Sequence, residues 1–295
     1  MSDLIVVLGM HRSGTSCLTH ALHKAGLFLG SRLLNQTCVD NLDGHWEPFE
    51  AIELNDEILQ AAGASWDNVP DELDARLTAD HVRERVSQFV QQLRGQPIAG
   101  FKDPRTVLTY PAWKPFLGPH RIVACFRDPQ AVARSLLRRR RSNWSLEKGV
   151  ALWKDYNRRL IRIADSEPDV TWFEFDQAPS DVIQNVLYIL RRLNLRQDIP
   201  QDELFNPFLR STHPPEAIKD AEAARIHVAL RGLAEKQRST AGQADLTAGI
   251  SESEEQADPC GRWRQLQETV NHMKEALQQH SEMLINSQQT IQALR

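Results

Sequence analysis

The apolar run "LIVVLG" at 4–9 runs without a polar break into "MHRSGTS" at 10–16, and an amphipathic pattern follows at once. A strand with no polar face needs cover on both sides, which a parallel sheet sandwiched by helices supplies. Leu18, Ala21, Leu22 and Ala25 recur at helical spacing, and Gly26 stands where a helix stop is expected. In the order strand, glycine loop, helix, the loop N–H groups and the positive helix end can wrap an anion, with phosphate or sulfate the natural guest.

The rhythm continues along the chain. Apolar runs at 97–101 ("PIAGF"), 121–126 ("RIVACF") and 170–175 ("VTWFEF") read as further strands, and 50–62, 81–94, 129–141, 146–165 and 180–193 read as helices. Residues 28–49 form a long irregular excursion, the kind of loop that often carries function. The expected fold is α/β: a P-loop-type three-layer α/β/α domain over 1–234 with a central, mainly parallel sheet. From 235 to 261 the composition turns to Ser, Gln, Glu, Ala and Gly, as in a flexible linker. Beyond it Trp263, Leu266, Val270, Met273, Leu277, His280, Leu284, Ser287, Ile291 and Leu294 alternate by three and four, a heptad seam over 262–295. Such a C-terminal coiled-coil helix can pair with a second copy in a homo-oligomer or pack on the domain.

A formal net charge of -4 argues against a protein that coats nucleic acid, so no nucleic-acid partner is expected. Cys17, Cys38, Cys125 and Cys260 lie far apart without metal-ligand spacing, which points to a reducing compartment. No run approaches the roughly 20 apolar residues of a membrane helix, and strand residues begin almost at the N-terminus. A cytoplasmic protein with no membrane span is expected.

A Walker A loop would read Gly-x-x-x-x-Gly-Lys followed by Ser or Thr, with the lysine on the β- and γ-phosphates. Here Thr15 replaces the lysine and the cation is Arg12, inside the loop. An arginine there can fork two bonds to a shorter anionic group without needing a metal. "HRSGTS" resembles the 5′-phosphosulfate loop of sulfotransferases that use 3′-phosphoadenosine-5′-phosphosulfate (PAPS), the P-loop type in its bacterial-like branch. In that family the loop reads Lys or Arg, Ser or Thr, Gly, Thr, then Thr or Ser. A second motif, "FRDPQAVARSL" at 126–136, is similar to the family's 3′-phosphate element, an arginine at a strand end and a serine eight residues on. The resemblance covers most of 4–193 and implies that Arg12, Ser13, Gly14, Thr15, Ser16, Arg127 and Ser135 bind PAPS as co-substrate. It implies no metal. Arg127 could instead form a structural ion pair with Asp128 or Asp176. The late Arg-Lys-Gly element of cytosolic members is missing; the arginines at 138–141 or the segment 201–232 are the possible substitutes.

Sulfuryl transfer to a hydroxyl is carried by positioning and electrostatics, as phosphoryl transfer is. Arg12 is the first choice to stabilise the leaving group. "GFKDPR" at 100–105 matches the family's strand-end lysine at Lys102, but Pro104 occupies the place of the base histidine. A carboxylate must then take the proton, and the candidates are Glu47, Glu50 and Asp103. Glu47, within "NLDGHWEP", is preferred, because other sulfotransferase branches draw a base glutamate from that region; His45 is the remaining choice. Lys102 and Arg105 could also anchor an acidic acceptor. Trp144, Trp153, Tyr156 and Trp172 could stack on a sugar, although Trp153 and Tyr156 stand at core spacing. The expected activity is an enzyme's: transfer from PAPS to an acceptor hydroxyl, on a carbohydrate or glycoconjugate. The alternatives are a P-loop kinase using ATP-Mg, with Ser16 and Asp128 on the metal, and a non-catalytic nucleotide-binding scaffold protein.

Overall fold

The computed structural model describes residues 3–34, 44–70, 73, 79–138, 144–205 and 218–247. Four parallel strands form the central sheet in the order β4-β1-β5-β6: β1 Asp3–Gly9, β4 Ile98–Lys102, β5 Arg121–Phe126 and β6 Val170–Glu174. Continuous apolar runs put a core on both faces. Leu4, Val6 and Leu8 pack on one side with Phe101, Trp113 and Trp153, whereas Ile5 and Val7 pack on the other with Leu18, Leu22, Val186 and Leu190. The first face is covered by α2 (Phe49–Ala61), α3 (Asp80–Arg94), α4 (Thr106–Leu117), α5 (Pro129–Leu137), α6 (Leu146–Ser166) and α9 (Ala221–Thr247). The second is covered by α1 (Thr15–Lys24), α7 (Pro179–Arg192) and the short α8 (Gln201–Leu204). The expected α/β architecture with a central parallel sheet is therefore present.

β1 lies between β4 and β5, so the chain leaving β1 rejoins the sheet on one side and the chain leaving β5 rejoins it on the other, at β6. Such a reversal opens a crevice at the carboxyl ends of the two strands, the place where open α/β sheets bind ligands.

The structure differs from the expected elements at three places. α4 carries Pro111 and Pro115 inside it, and these breakers hide a helix whose Trp113 and Leu117 are fully buried. The excursion at 28–49 contains a small antiparallel pair, β2 (Leu33–Leu34) with β3 (Glu47–Pro48). α9 runs to Thr247, so the first part of the segment expected as linker is helical.

Residues Met1–Ala244 form one compact unit. The heptad seam at 262–295, the arginines at 139–141 and the rest of the linker lie outside the described residues.

Candidate functional site

The glycine loop is built at the end of β1. A Cβ on Gly9 would stand 2.5 Å from the Cys125 carbonyl oxygen, so glycine lets β1 and β5 close here. The Ser13 N–H then donates to the Met10 carbonyl at 3.2 Å, and Arg12 takes a left-handed φ of 68°. Gly14 is the N-cap of α1 at φ 87°, with no side-chain cap, and a Cβ on it would meet the Phe175 ring at 2.3 Å. The leading N–H groups of α1 thus have no side-chain cap of their own. Ser13 is fully buried, and its hydroxyl has no hydrogen-bond partner among the described residues. An orphaned hydroxyl beside an uncapped helix start fits a loop made to receive an anion.

The second motif meets the first in space. Arg127 follows β5 directly and is 4% exposed; its Nη1 donates to the Arg12 carbonyl at 3.3 Å, and its Cζ lies 5.2 Å from the Phe175 ring centroid. The Trp153 indole N–H fixes the Arg127 carbonyl at 2.9 Å. Asp128 caps α5 by accepting the Ala131 N–H at 2.8 Å, which puts Ser135 two turns on, buried, where its hydroxyl accepts from Arg12 Nε at 2.8 Å. The ion pair weighed for Arg127 also forms: its Nε donates to Asp176 Oδ1 at 3.0 Å, while Asp176 Oδ2 accepts the Asp128 N–H at 2.7 Å. Asp176 therefore orients the guanidinium at the edge of the loop. Partial burial lowers the pKa of Arg138, just past α5, and the charges of Arg127 and Arg134 lower it further.

On the other flank of β1, Lys102 ends β4 with its side chain fully buried. Its Nζ donates to Glu47 Oε1 at 2.7 Å and to the Ser16 hydroxyl at 3.2 Å. Glu47 reaches this position from β3, where it pairs with Leu34. A buried ammonium and carboxylate are tolerable together and expensive apart. The three candidate carboxylates separate cleanly. Glu47 is beside Lys102 and α1; Glu50 is a third exposed and 3.8 Å from Arg32 on the outside. Asp103 is fully buried and accepts from the Arg105 backbone N–H at 2.7 Å and from its Nη1 at 2.9 Å, while Arg105 Nε faces Asp56 at 2.8 Å. Burial pushes the Asp103 carboxyl up, to about 7, against the pull of Arg105 and with a push from Glu47. His45 is half-buried, with its N–H donating to the Leu34 carbonyl.

Trp153 and Tyr156 are core residues, as their spacing implies, and Trp172 is buried in β6. Trp144 stacks on Trp66 with centroids 5.8 Å apart, and Trp66 in turn meets His11 of the loop at 4.6 Å. The sequence reading passed over Trp66, Asp56 and Trp46, since no local pattern marks residues whose importance lies in contacts across the chain. Among the described residues no group of three or more His, Cys, Asp or Glu side chains is placed to hold a metal ion.

Fold and site together define a class: a parallel α/β domain that brings a glycine loop and two arginines together at the switch point of its sheet, with a buried lysine and glutamate on the other flank of β1. No protein-family model matches the chain, and no curated protein matches it. Two of the solved structures similar to it are sulfotransferase domains. The sulfotransferase domain from the Synechococcus PCC 7002 olefin synthase is 15% identical, with a TM-score of 0.49 over 77% of this chain and 94% of that one. The sulfotransferase domain from the curacin biosynthetic pathway is 14% identical, with a TM-score of 0.44 over 76% of this chain and 82% of that one.

Proposed function

We propose that the chain is a sulfotransferase that moves a sulfuryl group from PAPS to an acceptor hydroxyl on a carbohydrate or glycoconjugate. The observation that carries this reading is the meeting of the two motifs, with Arg12 donating to Ser135 at 2.8 Å and Arg127 donating to the Arg12 carbonyl. One cationic, hydroxyl-bearing crevice then faces both phosphate groups of a single nucleotide. In this reading Ser13, Gly14, Thr15 and Ser16 hold the 5′-phosphosulfate with Arg12, and Arg127 and Ser135 hold the 3′-phosphate. Arg138, on which the charges of Arg127 and Arg134 act, is the substitute for part of the missing late motif in this reading.

The acceptor oxygen bonds to sulfur as the bond from sulfur to the phosphate oxygen breaks, and the electron pair leaves with 3′-phosphoadenosine-5′-phosphate (PAP). Glu47 takes the acceptor proton. Lys102, touching both Glu47 and Ser16, and Arg12 offset the negative charge that grows on the leaving oxygen. No step calls on a metal. The kinase reading needs Asp128 on Mg²⁺, whereas Asp128 Oδ1 caps α5. A scaffold protein would bind PAP without turning PAPS over.

The test is transfer from ³⁵S-labelled PAPS to a panel of methyl glycosides. Wild type is expected to label at least one. Glu47→Gln is expected to lose about 10²- to 10⁴-fold in kcat, the usual size of a general-base contribution. An undiminished Glu47→Gln would remove Glu47 from the mechanism, and ATP-dependent phosphorylation in place of sulfation would favour the kinase.

A further inference from the structure

Two residues at the crevice that are not glycine hold left-handed backbone: Arg12, and Trp46 at φ 59°, immediately before Glu47. A bulky residue adopts that conformation only where its surroundings impose it, and such strain gathers at functional sites. The contacts that impose it on Trp46 are plain. Its N–H and that of His45 both donate to the Leu34 carbonyl, at 3.0 and 3.1 Å. Its indole lies flat on His20, with centroids 4.7 Å apart and planes 8° from parallel, and meets His23 at 5.0 Å. His20 and His23 follow Ser16 on α1 at helical spacing, so the three share one face of that helix. Ser16 accepts from Lys102, which also donates to Glu47. Glu47 and the residue before it are thus registered to one face of the helix that begins at the glycine loop, Glu47 through Lys102 and Ser16, Trp46 through two imidazoles.

We propose that Trp46 is a positioning residue: stacked on His20 and His23, it turns the chain so that Glu47 meets the acceptor hydroxyl beside Lys102, in fixed register with the loop that holds the donor. The proposal rests on the sulfotransferase reading above. Lys102 holds the Glu47 carboxylate, while Trp46 sets the course of the two-residue strand that carries it, and misplacement of a base by an ångström is enough to slow transfer strongly.

The test is a double-mutant cycle on the full chain, with labelled PAPS and the methyl glycoside that wild type sulfates fastest, and with PAP affinity measured by calorimetry. Trp46→Ala is expected to lower kcat about 30-fold with PAP affinity held within about twofold, and Trp46→Phe to recover kcat to within about threefold. In a Glu47→Gln background Trp46→Ala is expected to have no further effect, because it acts through that carboxylate. His20→Ala removes the stack and keeps the strained residue, so it is expected to reproduce the loss in kcat even where Trp46→Ala does not fold. Equal losses in both backgrounds, or a loss of PAP affinity as large as that of kcat, would make Trp46 merely structural and overturn the proposal. A wild type that transfers nothing would overturn the sulfotransferase reading and this proposal with it; wild-type transfer with silent Trp46→Ala and His20→Ala would overturn this proposal alone.

Discussion

At Asp103 the carboxyl is fully buried, and burial raises its pKa to about 7 although Arg105 pulls the other way. The folded chain therefore holds that proton more tightly than the unfolded chain, whose carboxyl titrates near 3.8. Between those values the folded state binds more protons, so this contribution to stability is whole below 3.8, falls as pH rises, and is gone above about 7. Asp103→Asn, which has no proton to lose, is expected to flatten the fall in melting temperature between pH 4 and pH 7. An unchanged slope would mean that Asp103 titrates normally. The residue types of the candidate site were legible in the sequence because loop chemistry is local: Gly9, Arg12, Gly14 and Thr15 lie in one short run. The pairing of Lys102 with Glu47 was not, since 55 residues separate them and nothing in either neighbourhood names the other. Local motifs also left the choice among Glu47, Glu50 and Asp103 open, whereas burial and partners place only Glu47 beside both Lys102 and α1.

Among the elements, strands of continuous apolar residues were read closely: the run at 121–126 is β5, and the run at 4–9 is β1 but for one residue. α4 was missed because two prolines interrupt its pattern, yet it is held by a buried polar hub. Asn55 of α2 donates to the Thr106 hydroxyl at 3.0 Å and accepts from the Trp113 indole at 2.8 Å and from the Thr109 hydroxyl. Asn55→Ala would leave the buried indole N–H without this partner and empty part of the α2 and α4 interface. The expected loss is about 2–4 kcal/mol, read as a lower urea midpoint with an unchanged slope. A loss below about 0.5 kcal/mol would show that neither the hydrogen bonds nor the packing matter there. At the far edge of the sheet, Gln237 of α9 accepts from the Trp172 N–H at 2.6 Å and donates to its carbonyl at 3.2 Å. That side chain covers part of β6, whose open edge would otherwise invite another strand.

For the molecule as a whole, the sheet order sets where the motifs meet: the loops that leave β1 and β5 bring the glycine loop and the Arg127–Ser135 motif together. Topology of this kind follows from long-range pairing, so the alternating pattern foretold the layers and not the order of the strands. The heptad seam at 262–295 adds a separate expectation, that removing it converts an oligomer to a monomer in sedimentation; an unchanged mass would sink the pairing idea. The measurement closest to the central claim is calorimetric titration with PAP, set against ADP plus Mg²⁺, on wild type, Arg127→Ala and Ser135→Ala. Metal-independent PAP binding is expected in wild type, weakened about tenfold or more in either variant, as the loss of a charge-assisted phosphate contact implies. A preference for ADP with Mg²⁺, or PAP binding indifferent to both variants, would contradict it.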